Sequence, residues 1–123
     1  MWTYDQKTGL IERTWNQQRR RLGPGYSGHA EGLNNPDMQA DKDTGPIPRG
    51  RCTIGGFHSE PVFGPVVARL YPAEDNEMFG RSGFLIHGDN AAEDFTGSHG
   101  CIVLPREVRE AIADSMDTWL EVV

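Results

Sequence analysis

The stretch Gly83-Phe84-Leu85-Ile86-His87-Gly88, followed by Ser98-His99-Gly100-Cys101-Ile102-Val103-Leu104-Pro105, decides how this chain is read. Two short apolar runs are each stopped by a conformational breaker, Gly88 in the first and Pro105 in the second. Apolar runs of that length between turn signals predict buried strands. The polar segment between them contains Gly97 and suits a strand connection. The same pattern recurs outward from this pair. Arg51–Ile54 lies between Gly50 and Gly55, and Pro65–Tyr71 lies between Gly64 and Pro72. Trp2–Tyr4 and Leu10–Arg13 flank a polar loop ending in Gly9, which predicts an N-terminal hairpin. Thr118–Val123 is predicted as a last strand, giving about six or seven strands in all.

One helix is predicted over Arg106–Asp117. Val108, Ala111, Ile112 and Met116 fall on one helical face, with Glu107, Arg109, Glu110 and Asp114 on the other. Pro105 suits a first helical position. At 123 residues the chain is too short to divide into two cores, so one domain over 1–123 is expected. The predicted fold is mainly β, a small sandwich or barrel with one C-terminal helix. Residues 23–50 hold ten Gly or Pro in 28 positions, which excludes a helix of useful length. The same segment carries Tyr26, Leu33, Met38 and Ile47, anchors that predict a long ordered loop rather than a linker. Gln17-Gln18-Arg19-Arg20-Arg21 reads as a solvated basic patch.

The net charge of −6 argues against nucleic acid as a partner. No apolar run approaches the roughly 20 residues of a membrane span. Met1-Trp2-Thr3-Tyr4-Asp5 lacks the basic head and apolar segment of a signal peptide. Two cysteines, Cys52 and Cys101, do not make a disulfide framework; they could pair with each other, or one could be a reactive thiol.

His87 ends one predicted strand and Cys101 begins the next, so adjacent strands would bring them together. A cysteine attacks as thiolate, and an imidazole can take its proton. The carbonyl of Gly88 or the carboxylate of Asp89 can orient the ring. Gly100 leaves room for an approaching carbonyl, and the N–H groups of Gly100 and Cys101 can hold an oxyanion. Cys52 reads as a strand filler. His29 and His58 fall in loops and are given no role. A competing reading makes His87, Asp89, His99 and Cys101 zinc ligands, but their spacing fits no common zinc pattern. From the residues alone, nucleophilic catalysis, a metal site and plain packing all stay open.

Ser98-His99-Gly100-Cys101 with His87 upstream resembles the active-site motif of YkuD-type L,D-transpeptidases. Pro48-Arg49-Gly50-Arg51-Cys52-Thr53-Ile54 is similar to an earlier strand of that family, with Cys52 in an aromatic place. Tyr26-Ser27-Gly28, Gly32-Leu33-Asn34-Asn35-Pro36 and Gly45-Pro46-Ile47-Pro48-Arg49-Gly50 resemble the small L,D-transpeptidase effectors delivered by type VI secretion. The resemblance implies cysteine acyl transfer on peptidoglycan stem peptides, with no cofactor. Terminal D-alanine would leave. Water would then give L,D-carboxypeptidase activity, a D-amino acid would give exchange, and a second stem would give a crosslink. By position, Cys101 is the implied nucleophile and His87 the base. Gly88 supplies the orienting carbonyl, and Gly100 with Cys101 the oxyanion donors. Ser98 and His99 would shape the pocket. An effector of this kind implies a cognate immunity protein and delivery, without a signal peptide, into the periplasm of target bacteria.

Two departures from the family pattern stand out. The connection after His87 is short, which predicts an open cleft favouring hydrolysis or small D-amino-acid acceptors over crosslinking. The family's arginine two places after the cysteine is Val103 here. Arg49, Arg51, Arg81 and Arg106 are candidates to read the substrate carboxylate in its stead. Arg49 joins Ser98, His99 and Asp89 in the expected substrate-binding set. The alternatives are a zinc-dependent peptidoglycan amidohydrolase and a non-catalytic module that binds cell wall or a partner.

Overall fold

The computed structural model describes residues 1–123. Ten strands and one helix follow one another as β1 (Trp2–Tyr4), β2 (Ile11–Trp15), β3 (Gln18–Leu22), β4 (Tyr26–Ser27), β5 (Gly50–Ile54), β6 (His58–Glu60), β7 (Gly64–Pro72), β8 (Leu85–His87), β9 (Ile102–Val103), α1 (Arg106–Ser115) and β10 (Trp119–Val122). The sheet order is β3-β2-β1-β10-β5-β7-β8-β9-β4, with β6 paired to β7.

Alternation explains the central strands. Cys52 and Ile54 of β5 point inward while Arg51 and Thr53 point out, as a half-buried strand requires. Leu120 and Val122 of β10 and Trp2 and Tyr4 of β1 repeat the pattern on neighbouring strands. β1 and β10 pair in parallel, Trp2 opposite Leu120, which brings the two ends of the chain together in the sheet. The predicted N-terminal hairpin is present as the antiparallel β1–β2 pair. β7 is long enough to serve two halves of the sheet. Leu70–Pro72 pair with β5, and Ala68 and Arg69 pair with β8.

The barrel half of the sandwich-or-barrel expectation does not hold. The sheet is open, with β3 at one edge and β4 at the other. β4 is two residues long and ends before Gly28, so it offers no ladder on which β3 could close. Gln17–Arg21, solvated as expected, lies largely in an edge strand, β3. Charged residues on an exposed edge discourage pairing with another chain.

α1 packs Val108 and Ile112 into the core beside Ile86, Ile102 and Leu104. It ends at Ser115, not Asp117, because Met116 adopts a left-handed conformation with φ 58°. Met116 thereby leaves the apolar stripe and is 84% exposed. Arg109, read as solvated, is instead buried. The segment 23–50 is the ordered loop expected. It carries β4 and two 3-10 turns, Ala30–Gly32 and Pro36–Met38. No helix of the structure is long and apolar enough to cross a membrane.

Candidate active site

β8 and β9 run parallel, Ile86 opposite Ile102 and His87 opposite Val103. That register places Cys101, the residue before β9, opposite Leu85. The Leu85 N–H is directed at the Cys101 sulfur, and His87 follows two residues along the same strand. His87 and the residue that follows Cys101 thus lie on paired strands, as expected of adjacent strands.

His87 is buried, and its Nδ1–H donates to the Gly88 carbonyl at 2.7 Å. A carbonyl can only accept, so the proton sits on Nδ1 and leaves Nε2 with its lone pair. Burial lowers the imidazole pKa below its usual value. The Gly88 carbonyl opposes that shift, Arg109 adds to it, and Asp89 and Glu60 oppose it. The ring is therefore neutral near pH 7, as a base must be. Phe63, in the turn between β6 and β7, stacks on it with centroids 4.1 Å apart and planes at 21°.

Cys101 is half-buried, and its thiol pKa is raised, first by burial. The Leu85 N–H, directed at the sulfur, favours the thiolate, while Glu60 disfavours it. A raised thiol beside a lowered imidazole describes a neutral pair rather than a standing ion pair. Cys52 is a buried free thiol in β5, the strand filler expected, and Cys101 is also unpaired.

The loop before Cys101 is built on Ser98. Its hydroxyl accepts from Gly28 N–H at 2.9 Å and Gly100 N–H at 3.1 Å, and donates to the Cys101 carbonyl at 2.6 Å. Ser98 is wholly buried and ties the reactive loop to residue 28 of the long loop. The Gly100 N–H, expected as one of two oxyanion donors, is thus hydrogen-bonded to the Ser98 hydroxyl. Gly100 has φ 131°, and a Cβ there would stand 2.6 Å from Arg81 Nη2 and 2.9 Å from Phe84, so only glycine fits.

Arg81 lies beneath this loop. Its guanidinium donates to the carbonyls of Gln39, Gly45, Pro46 and His99 at 2.6–3.2 Å. It fastens the 39–46 segment to the reactive loop and has no free edge for a substrate. His99 is exposed; its Nδ1–H donates to Asp43 O at 3.1 Å, and its ring lies 4.7 Å from that of His29. His29 has a structural part after all, donating from Nδ1 to Ser98 O at 2.9 Å. His58 opens β6 and pairs with Glu60 at 3.1 Å.

Asp89 does not orient His87. Its carboxylate accepts from Tyr26 OH at 2.6 Å and Asn90 N–H at 2.9 Å. Tyr26 OH in turn accepts from Gly97 N–H at 2.9 Å, so Tyr26 fastens both ends of the 89–97 connection. Burial and the Asp89 hydrogen bond push the phenol well above its ordinary pKa. Arg49 is not at this site: it lines a separate surface hollow with Lys7, Glu31 and Asn34. No three His, Cys, Asp or Glu side chains converge as a metal site would require, so His87, Asp89, His99 and Cys101 do not form the alternative zinc cluster.

A cleft of about 610 Å³ adjoins Gly88 and is lined by Tyr26, Phe63, Gly88, Asp89, Phe95 and Arg109 among others; neither His87 nor Cys101 lines it. Phe63, Glu60 and Arg109 are the site neighbours the sequence did not disclose. Phe63 and Glu60 come from a hairpin with no motif, and Arg109 had the look of a solvated helix residue.

A family model described as the Tlde1 domain matches residues 22–119. The chain therefore belongs to the Tlde1 domain family. The chain is also similar in fold to the structure of Bdellovibrio bacteriovorus Bd1075, with a TM-score of 0.63 at 18% identity. That likeness covers 99% of this chain and 46% of the other, so the chain spans about half the length of that structure. Among curated proteins none matches the chain.

Proposed function

We propose that this domain modifies peptidoglycan stem peptides by cysteine acyl transfer through a thioester on Cys101. The observation that carries the reading is the buried His87 ring, whose Nδ1 proton is held by Gly88 so that Nε2 keeps its lone pair, on the strand paired with the one that Cys101 leads into. Nε2 takes the thiol proton as sulfur attacks the carbonyl of the third stem residue. The Cys101 N–H stabilises the oxyanion of the tetrahedral intermediate. As that intermediate collapses, the peptide C–N bond breaks and His87 returns the proton to the leaving D-alanine amine. The thioester carbonyl is then attacked by water or by the amine of a D-amino acid. His87 removes the nucleophile's proton, and the thiol is regenerated.

The short 89–97 connection supports hydrolysis and small-acceptor exchange over crosslinking. Ser98, Gly100 and Arg81 hold the reactive loop rather than touch the substrate. The periplasm of a target bacterium is the place where such a substrate is met, and a cognate immunity protein is the corresponding partner in the producer. Muropeptide analysis after incubation, with and without a D-amino acid, tests the reading. Trimmed tripeptides and exchanged tetrapeptides, both lost in Cys101→Ala, are expected. Dominant crosslinked dimers would overturn the preference, and full activity of Cys101→Ala would overturn the mechanism.

A further inference from the structure

Arg109 is a buried cation with no carboxylate at ion-pair distance; Glu110 and Glu107 of its own helix act on it only from further away. The residue is 8% exposed and makes no salt bridge. Its Nε donates to Leu104 O at 3.0 Å, and Nη1 donates to Pro65 O at 2.9 Å and Val66 O at 3.1 Å. These bonds fix the guanidinium plane but leave the charge uncancelled. Nη2 has no such partner. It lies against Gly88, where an added Cβ would come within 2.6 Å of it, and Arg109 lines the 610 Å³ cleft. Gly88 is also the residue whose carbonyl orients His87. An oriented, desolvated guanidinium edge facing a cleft is suited to an anion.

The cleft limits which anion. Asp89 and Glu93 line it as well. Asp89 Oδ1 is already taken by Tyr26 and Asn90, and neither acid pairs with Arg109. Arg106, the other cation on the wall, is paired with Glu110 at 3.1 Å. Two carboxylates disfavour a multiply charged anion such as phosphate, whereas one open guanidinium edge suits a singly charged carboxylate. Phe63 and Tyr26 supply apolar walls for the carbon skeleton beside it.

We infer that the cleft beside Gly88 is the subsite for the free α-carboxylate of a D-amino acid residue, held by the Nη2 edge of Arg109. This rests on the acyl-transfer reading and assigns the role expected of Arg49 to a residue on α1. The carboxylate has two possible sources, the D-alanine end of the donor stem and a free D-amino acid acceptor. The guanidinium lies against Gly88, the residue after the base, so a ligand held there would extend past Gly88 and Phe63 toward His87.

Two measurements test it. The first compares a synthetic tetrapeptide stem with its C-terminal amide, and D-methionine with D-methioninamide as acceptor. Loss of a charge-assisted hydrogen bond predicts a fall in kcat/KM of about 10- to 100-fold in the arm whose carboxylate uses the subsite. Arg109→Gln should bring the acid-to-amide ratio of that arm close to one, a change that a merely structural role would not produce. Equal rates for acid and amide in both arms would overturn the inference and leave the acyl-transfer reading standing.

The second measurement is independent of turnover and of whether the Arg109 variant folds. In Cys101→Ala protein, N-acetyl-D-alanine should shift the Gly88 and Arg109 amide resonances, and N-acetyl-D-alaninamide should not. Absence of the shift would overturn the subsite. The shift together with no turnover of any stem by the native protein would keep the subsite and overturn the acyl-transfer reading.

Discussion

Replacing Ser98 with alanine removes one oxygen and disturbs three groups. Gly28 N–H and Gly100 N–H lose their acceptor, and the Cys101 carbonyl loses its donor. Ser98 is fully buried, so bulk water cannot simply take the place of the hydroxyl. A buried polar group left unpaired costs about 1–3 kcal/mol. Partial relaxation of the loop brings the net cost of the three to about 3 kcal/mol. A chain of 123 residues unfolds with an entropy near 0.26 kcal/mol per kelvin. The expected fall in Tm is therefore about 12 °C. Thermal unfolding followed by circular dichroism reads it directly. A fall of less than about 4 °C, equivalent to roughly 1 kcal/mol, would refute the role of Ser98 as the hub of the reactive loop. It would also return the Gly100 N–H to the set of available oxyanion donors.

The remaining expectations concern the base and its surroundings. The acid limb of kcat/KM should lie below pH 6.5, the unperturbed value for His87, because burial lowers its pKa and the base must be neutral to act; a limb at or above pH 7 would contradict the neutral, buried ring. Phe63→Ala opens the stacked face of His87 to water, so an NMR titration should show the imidazole pKa rising toward its ordinary value, and an unchanged midpoint would contradict burial as the main cause. Tyr26→Phe deletes the hydroxyl shared by Asp89 and Gly97 and should cost about 1–2 kcal/mol. Hydrogen exchange at the Gly97 amide should accelerate accordingly, and unchanged protection there would contradict the tie.

How much of this was legible depends on whether the signal is local. The strands at 2–4, 51–54, 65–71 and 101–104 are readable because apolar residues alternate or cluster between Gly and Pro. β3 is not, because Gln18-Arg19-Arg20-Arg21 on an open edge buries nothing and carries no period. β4 is two residues long and owes its existence to its partner β9. The His87–Cys101 pair is readable because both residues abut strand ends, and a parallel pairing does the rest. Arg109 is not: it flanks the Val108–Ile112 stripe, and only the distant carbonyls of Pro65, Val66 and Leu104 make its burial tolerable. Phe63 and Glu60 reach the site through the β6–β7 hairpin, a long-range consequence of how β7 pairs. Met116 has the right helical spacing but the wrong backbone, since the helix turns left-handed at that residue.

The central claim is that Cys101 carries the acyl group and His87 moves the proton. Intact-mass spectrometry of the protein, acid-quenched during turnover of a tetrapeptide stem, tests it most directly. The account predicts a tripeptide adduct that maps to Cys101, is absent from Cys101→Ala, and forms far more slowly in His87→Ala. Products released with no adduct on Cys101, or an adduct forming at the native rate in His87→Ala, would contradict it.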